Sequence, residues 1–290
     1  MNSDSQNSRR SLLALAASMV IFGTVPLMLR YILLSSPVIA FARSLLGASF
    51  LLLIMLITRQ RFASAYLRKN CGRIMISGIL LGINWIALFE SFNYTTVAVA
   101  TLCDNLAPVF VVLVSPIIFK EKLTKTKLLC VAASAVGILL VSGKIGGNVT
   151  GSPRGIIFAL CSAILYALVI ILGKTIVGVP AHSRTVLQLA TCSLALLPYV
   201  LLTEKTGTVQ IGRLGLAMLV VLGLLHTGVA YALYFGSMDG IKAQTFALMS
   251  YIGPCVTLFV SAVVLKEPMT LPQAIGAVFI FSAVFFSNKE

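Results

Sequence analysis

The sequence predicts an all-α integral membrane protein of ten transmembrane helices, arranged as two inverted five-helix repeats. Three observations carry this. The chain of 290 residues is 59% hydrophobic and 10% charged, where a soluble domain carries about 25% charged residues. Its mean hydropathy is +1.02, and apolar stretches of roughly 20 residues recur from end to end, the length that spans a bilayer as a helix. A barrel strand would instead alternate over about 10 residues. Third, the stretch from Gly82 to Thr124 repeats from Gly228 to Thr270. Gly82 pairs with Gly228, Trp85 with Tyr231, Phe89 with Phe235, Pro108 with Pro254, Lys120-Glu121 with Lys266-Glu267, and Thr124 with Thr270. A duplicated apolar unit is a hallmark of secondary transporters, whose sites lie between the halves.

The expected spans are 11–31, 37–58, 73–92, 96–118 and 125–142 in the first half. They are 154–174, 184–203, 212–235, 242–264 and 269–287 in the second. The polar N-terminus followed by an apolar run has the outline of a signal peptide, but the run continues past Gly23 and Pro26 to Tyr31 and is long enough to be the first span. The repeats are placed at 1–142 and 154–290, joined by a polar, glycine-containing linker at 143–153. Five spans per half is an odd number, so the second copy must enter the membrane upside down.

The net charge is +14, and its distribution sets the orientation. With the N-terminus inside, Lys144, Arg154, Lys205, Arg213 and Lys266 fall in outer loops. Arg30 lies at an outer helix end, Arg43 within the second span, and the remaining fifteen Lys and Arg on the inner side. This bias places both termini in the cytoplasm, and the expected location is the plasma membrane. Basic residues scattered over short loops exclude a nucleic-acid surface. The six cysteines form no CxxC pair and fall mostly within spans, which suits packing residues and neither disulfides nor a metal site.

Polar residues inside the spans are the candidates for function, because each costs several kcal/mol unless paired or wetted. Thr101, Asp104, Asn105 and Pro108 fall at i, i+3, i+4 and i+7 and share one face of the fourth span. Their mates on the ninth are Ala247, Ser250, Tyr251 and Pro254. Each face ends at a proline, which frees a backbone carbonyl and kinks a helix. Asp104 lies roughly 12 Å below the outer end of its helix. It suits a substrate ammonium contact, a coupling proton, or a hydrogen bond to a neighbouring helix. Glu90 sits near the outer end of the third span, where it meets interfacial water or pairs with Arg30 or Arg43. Arg43 itself is open to a structural or a substrate role.

Trp85, the only tryptophan, sits in mid-span with Tyr231 as its mate, and Phe22 pairs with Tyr166 at a separation of 144 residues. Such rings suit either a cavity wall or core packing. Asn84 and His226 are further polar residues at depth. Gly78 and Gly82 form a GxxxG that permits close helix approach. The sequence Gly143-Lys144-Ile145-Gly146-Gly147 lacks the ending of a phosphate loop, and no nucleophile, base and orienter set is present, so neither ATP drive nor an enzyme is expected. No cofactor or metal is implied. Asn93-Tyr94-Thr95 and Asn148-Val149-Thr150 fit the glycosylation triplet.

Each half resembles the EamA module of the drug/metabolite transporter superfamily. The residues that carry the resemblance are Phe22-Gly23, Arg43, the run Val97 to Ala100 with Pro108, Lys120-Glu121, and Gly137. In the second half they are Tyr166-Ala167, Ala243-Gln244 with Pro254, Lys266-Glu267-Pro268, and Gly276. Arg43 has no mate in the seventh span. The resemblance implies a ten-helix exporter of amino acids or related metabolites, its cavity lined by helices 1, 3, 4, 6, 8 and 9. Aromatic residues often follow Cys103 in similar sequences, where this chain has Asp104-Asn105. The resulting expectation is export of small metabolites, amino acids or amphipathic amines, by alternating access. The cavity would comprise Trp85, Asp104, Asn105, Tyr166, Tyr231, Ser250 and Tyr251, with coupling or ion pairing by Asp104, Glu90 or Arg43, and helix kinks at Pro108 and Pro254. A uniporter or importer, and less readily a lipid flippase or membrane enzyme, are the alternatives. The partners are a small-molecule substrate and the lipid bilayer, with the chain a monomer or homodimer.

Overall fold

The computed structural model describes residues 3–60, 64–95, 97–141, 152–204, 211–264 and 270–287. The Lys266-Glu267 turn, the Asn148-Val149-Thr150 triplet and all but the last two residues of the 143–153 linker lie outside the described residues.

In chain order the first half runs α1 (Ser3–Gly23), α2 (Val25–Leu29), α3 (Ser36–Ile57), α4 (Ser64–Tyr94), α5 (Val97–Asp104), α6 (Ala107–Phe119) and α7 (Lys125–Val141). The second runs α8 (Pro153–Lys174), α9 (Ala181–Thr203) and α10 (Arg213–Val221), then a π-helical stretch (Leu222–Val229) that leads into α11 (Ala230–Gly236). It ends with α12 (Ala243–Met249), α13 (Ile252–Val264) and α14 (Leu271–Ser287). Among the described residues seven helical runs, including Ser36–Ile57, Tyr66–Tyr94 and Pro153–Lys174, are long and apolar enough to cross a membrane. The sequence expected ten. The shortfall has a local cause: the fourth span is divided between α5 and α6, while α7 and α14 are 17 residues each. The protein is a multi-pass membrane protein, and its surface agrees. Ile117 and Leu202 are 81% and 86% exposed, as befits side chains that meet lipid rather than water.

Helix contacts follow a two-fold pattern. α4 packs on α8, and α1 on α11; α4 packs on α9, and α3 on the π stretch; α5 and α6 pack on α8, and α1 on α13. α3 with α9 and α7 with α14 pair with their own counterparts, and α6 of the fourth span packs on α12 of the ninth. The α4–α8, α4–α9 and α5/α6–α8 contacts therefore reappear when the helices of one half are exchanged for those of the other.

Glycines set two of these crossings. A Cβ on Gly78 would lie 1.8 Å from Thr191 Oγ1 and 2.4 Å from the Gln188 carbonyl, and one on Gly82 would lie 3.0 Å from the Ala195 Cβ. The GxxxG therefore holds α4 against α9. At the related crossing, Gly223 would meet the Leu46 Cβ at 2.5 Å and Gly228 the Phe50 ring at 3.0 Å. These two glycines are five apart rather than four, and both lie in the π stretch. An α-helix repeats a face at i+4 and a π-helix at i+5. The π turn thus absorbs one extra residue and returns both glycines to the face that α3 approaches. Polar bonds add to the packing: Gln188 Nε2 donates to Ser77 Oγ at 2.7 Å and Gln244 Nε2 to Ser115 Oγ at 2.8 Å.

Candidate functional site

Three helices break where the two halves meet. α1 ends at Gly23 and resumes as α2 after Thr24, with Pro26 in its first turn. α5 ends at Asp104 and α6 begins at Ala107 with Pro108 in its first turn. α12 ends at Met249 and α13 begins at Ile252, two residues before Pro254. The sequence placed kinks at Pro108 and Pro254. The breaks lie three to four residues earlier, because proline is at home in a first turn, where no intrahelical N–H is needed. The unwound residues are accordingly the pairs Asn105-Leu106 and Ser250-Tyr251, not the prolines. The freed Gly23 carbonyl is satisfied by Thr257 Oγ1 at 3.0 Å, a bond from α13. Non-helical backbone at membrane depth is tolerated where it lines a cavity or is buried in protein.

A cavity of about 810 Å³ lies among these breaks. Trp85, Asp104, Asn105, Tyr166, Tyr231, Ser250 and Tyr251 all line it, as do Arg43, Pro108 and Pro254. It extends from Thr101, exposed at its rim, to a floor at Tyr166 and Tyr231. Of the expected residues Glu90 alone stands apart. Its carboxylate accepts hydrogen bonds from Tyr199 of α9 and from Asn93 Nδ2 (3.2 Å), in place of the expected Arg30 or Arg43.

The acid and the base of the cavity are held differently. Asp104 Oδ1 accepts from Ser162 Oγ at 2.6 Å, and Asn84 Nδ2 donates to both Ser162 Oγ (2.7 Å) and the Ser162 carbonyl (2.8 Å). The chain Asn84–Ser162–Asp104 orients the carboxylate with neutral donors and leaves its charge uncompensated by them. Arg43 Nε donates to Thr227 Oγ1 at 3.0 Å, and its guanidinium carbon lies 4.7 Å from the Trp85 ring centroid, a cation–π distance. Thr227 in turn donates to the Leu222 carbonyl, five residues back in the π stretch, at 3.0 Å. The π turn therefore also positions the partner of Arg43. Beside it Thr24 Oγ1 and His226 Nε2 lie 2.9 Å apart, joining the break after α1 to the π stretch.

Sequence reasoning gave Ser162, Thr227 and Thr24 no role. Ser162 could have been found: it lies four residues before Tyr166 and so shares its face. Thr227 and Thr24 act through a π turn and a helix break, neither of which leaves a pattern in hydropathy.

Below the cavity the rings close up. Phe22 meets Tyr231 edge-on at 4.9 Å, Tyr234 meets Phe246 at 4.8 Å and Phe235 at 5.3 Å, and Tyr166 donates to the Tyr234 hydroxyl at 3.0 Å. Tyr234, Phe235 and Phe246 are each at most 1% exposed.

The model of the EamA-like transporter family matches residues 9–143 and, a second time, residues 153–289. The chain belongs to the EamA-like transporter family. Among curated relatives, the uncharacterized transporter YxxF of Bacillus subtilis is 28% identical over 283 residues, covering 97% of this chain and 90% of its own. The uncharacterized transporter YyaM of the same organism is 29% identical, covering 83% and 81%. Protein PecM of Dickeya dadantii is 24% identical, covering 73% and 72%. A solved crystal structure superposes with a TM-score of 0.84 at 18% identity, with 96% of each chain covered, which establishes the shared fold. In this EamA-like transporter, then, the cavity and the aromatic floor beneath it lie between the two family-matched segments. α1 to α7 of the first half and α8, α11 and α13 of the second contribute to the lining, with Ser250 and Tyr251 at the break between α12 and α13.

Proposed function

We propose that this protein is a secondary transporter that exports small amino-bearing metabolites, amino acids or amphipathic amines, across the plasma membrane. It would do so through ten spans built as two inverted repeats, 1–142 and 154–290, with both termini cytoplasmic. The observation that carries the reading is the Asp104 carboxylate in a cavity of about 810 Å³ walled by Trp85, Tyr166, Tyr231 and Tyr251. Ligand pockets commonly measure about 300–1,000 Å³ and are mostly apolar with a few placed polar groups. A desolvated carboxylate recognises an ammonium, and aromatic faces accept both its apolar body and its positive charge. Arg43, Asn105 and the Tyr251 hydroxyl, which is buried with no hydrogen-bond partner among the described residues, offer further polar contacts.

Exchange between two accesses follows from the same geometry. The broken fourth and ninth spans face each other as α6 and α12, and rocking of one repeat against the other about those breaks would part the Phe22–Tyr231 contact, which joins the two halves, and open the floor. The test is flux in reconstituted vesicles for a panel of neutral, anionic, zwitterionic and amine solutes, with and without a pH gradient. The reading expects uptake or release confined to amine-bearing solutes and enhanced by the gradient. Gradient-independent flux of the same solutes makes the protein a uniporter, and flux confined to anions or neutral solutes overturns the proposal.

A further inference from the structure

Arg43 and Asp104 are the charged side chains among the described residues that line the main cavity. Both come from the first half. Asp104 corresponds to Ser250 in the repeat, and no arginine stands at the place in the seventh span that matches Arg43. An arginine and an aspartate that serve only to hold helices together pair with each other, most strongly as a bidentate contact. These two do not. Asp104 takes its hydrogen bond from Ser162 Oγ, and no cation among the described residues forms an ion pair with it. Arg43 spends Nε on Thr227 and lays its guanidinium over the Trp85 ring, and its two terminal nitrogens have no acceptor among the described residues. Each charge is tied by one buried hydroxyl of the second half: Ser162 and Thr227 are both 0% exposed. Each hydroxyl is fixed in turn, because Ser162 Oγ accepts from Asn84 Nδ2 and Thr227 Oγ1 donates to the Leu222 carbonyl. The two charges are thereby held apart, and neither neutralises the other. Opposite charges left unpaired in one desolvated cavity cost free energy that a ligand carrying both signs recovers. A lone ammonium would satisfy Asp104 and leave the guanidinium without an anion, and a lone carboxylate would do the reverse.

We propose, building on the amine reading of the same cavity, that Arg43 is a specificity-determining residue and that the solute is a zwitterion. The ammonium meets Asp104, the carboxylate meets the terminal nitrogens of Arg43, and the apolar body lies along Trp85 and the tyrosines. A guanidinium presents its donors as a planar fork that matches a carboxylate, and with Nε committed to Thr227 the terminal nitrogens are what Arg43 has left to offer. Thr227 and Trp85 act through Arg43, as positioning residues. Amines without an acidic end bind weakly, which narrows the solutes from amines at large to amino acids and zwitterions of similar size.

The experiment is ligand titration of the full chain, purified in neutral detergent, followed by tryptophan fluorescence. Trp85 is the only tryptophan and lines the cavity beside Arg43, so the signal reports occupancy there. The probes are leucine, phenylalanine and glutamine. Each is compared with its carboxamide, which keeps the ammonium and loses the acid, and with its N-acetyl derivative, which keeps the acid and loses the ammonium. The proteins are wild type, Arg43→Gln, Arg43→Lys and Asp104→Asn, each checked for folding by thermal unfolding. At least one amino acid is expected to bind the wild type about tenfold to a hundredfold more tightly than its carboxamide, the worth of a hydrogen bond to a charged group. Arg43→Gln should abolish that preference by weakening the amino acid while leaving the carboxamide nearly unchanged, and Arg43→Lys should retain part of it. Asp104→Asn should weaken both probes alike. A merely structural Arg43 would shift both probes together or neither. Equal binding of amino acid and carboxamide by the wild type, or a preference that survives in Arg43→Gln, overturns the zwitterion proposal and leaves the amine reading standing. N-acetyl derivatives that bind as tightly as the amino acids overturn the amine reading itself, and absence of any binding overturns both. Should Arg43→Gln be isolated unfolded, the wild-type comparison of amino acid with carboxamide decides.

Discussion

The fourth and ninth spans break at matched places, yet they expose different chemistry. In the fourth, the break follows a carboxylate and unwinds an amide, Asp104 and Asn105. In the ninth, it unwinds a hydroxyl and a phenol, Ser250 and Tyr251. Both breaks precede a proline that starts the next helix, and both line one cavity. Ser250 Oγ donates to its own helix, at the Phe246 carbonyl, whereas Asp104 is held by a residue of the other half, Ser162. The scaffold obeys the duplication and the charge does not. In the proposed transport cycle a two-fold scaffold would provide two equivalent ways for the halves to pack, and one asymmetric carboxylate would give a solute a defined orientation within it.

The largest effect should come from breaking the scaffold itself. Gly78→Leu places a side chain where even a Cβ would lie 2.4 Å from the Gln188 carbonyl, and it should destabilise the protein by about 3 kcal/mol or more. Gly223→Leu at the related crossing should cost a similar amount. Gly72→Ala, where an added Cβ would meet nothing within 4 Å, should cost nothing and gain helix propensity. Thermal unfolding in detergent checks all three, and a mild Gly223→Leu would break the proposed equivalence of the two crossings. Next comes the asymmetry of the site. Asp104→Ala should lower transport efficiency on the order of tenfold to a hundredfold, the worth of a charge-assisted hydrogen bond, while Ser250→Ala should stay within about threefold, as expected for loss of a hydroxyl already bonded within its helix. Tyr234→Phe removes the hydroxyl that Tyr166 bonds at 3.0 Å and should cost about 1 kcal/mol of stability, read by the same thermal unfolding. The smallest effect belongs to Glu90→Gln, which keeps an acceptor for Tyr199 and should leave solute flux unchanged.

Much of this was legible in the sequence, for physical reasons that can be named. Hydropathy reports burial in lipid, so the membrane class and most helices follow from it. The 146-residue echo of Gly82, Trp85 and Pro108 led to residues that converge on one cavity, because helical spacing at i, i+3, i+4 and i+7 puts side chains on one face. Glu90 shows the limit. Its charge matched that of Asp104 though it lay nearer a helix end, but which helix presents a hydrogen-bond partner depends on packing, and α9 presents Tyr199. The π stretch shows another limit. Its only trace in the sequence is a glycine spacing of five where the other half has four, meaningful once the two crossings are compared. Thr24 and Thr227 owe their roles to irregular backbone, which periodicity does not encode.

The central claim is that Asp104 is the charge that selects the solute. The most direct measurement is flux of an amine-bearing solute into reconstituted vesicles by wild type, Asp104→Asn and Glu90→Gln, over a range of concentration and pH. Asp104→Asn keeps the size and an acceptor for Ser162 while removing the charge. The account predicts strongly reduced flux and weakened apparent affinity for Asp104→Asn, and wild-type behaviour for Glu90→Gln. Unchanged rate, affinity and pH dependence in Asp104→Asn would contradict it.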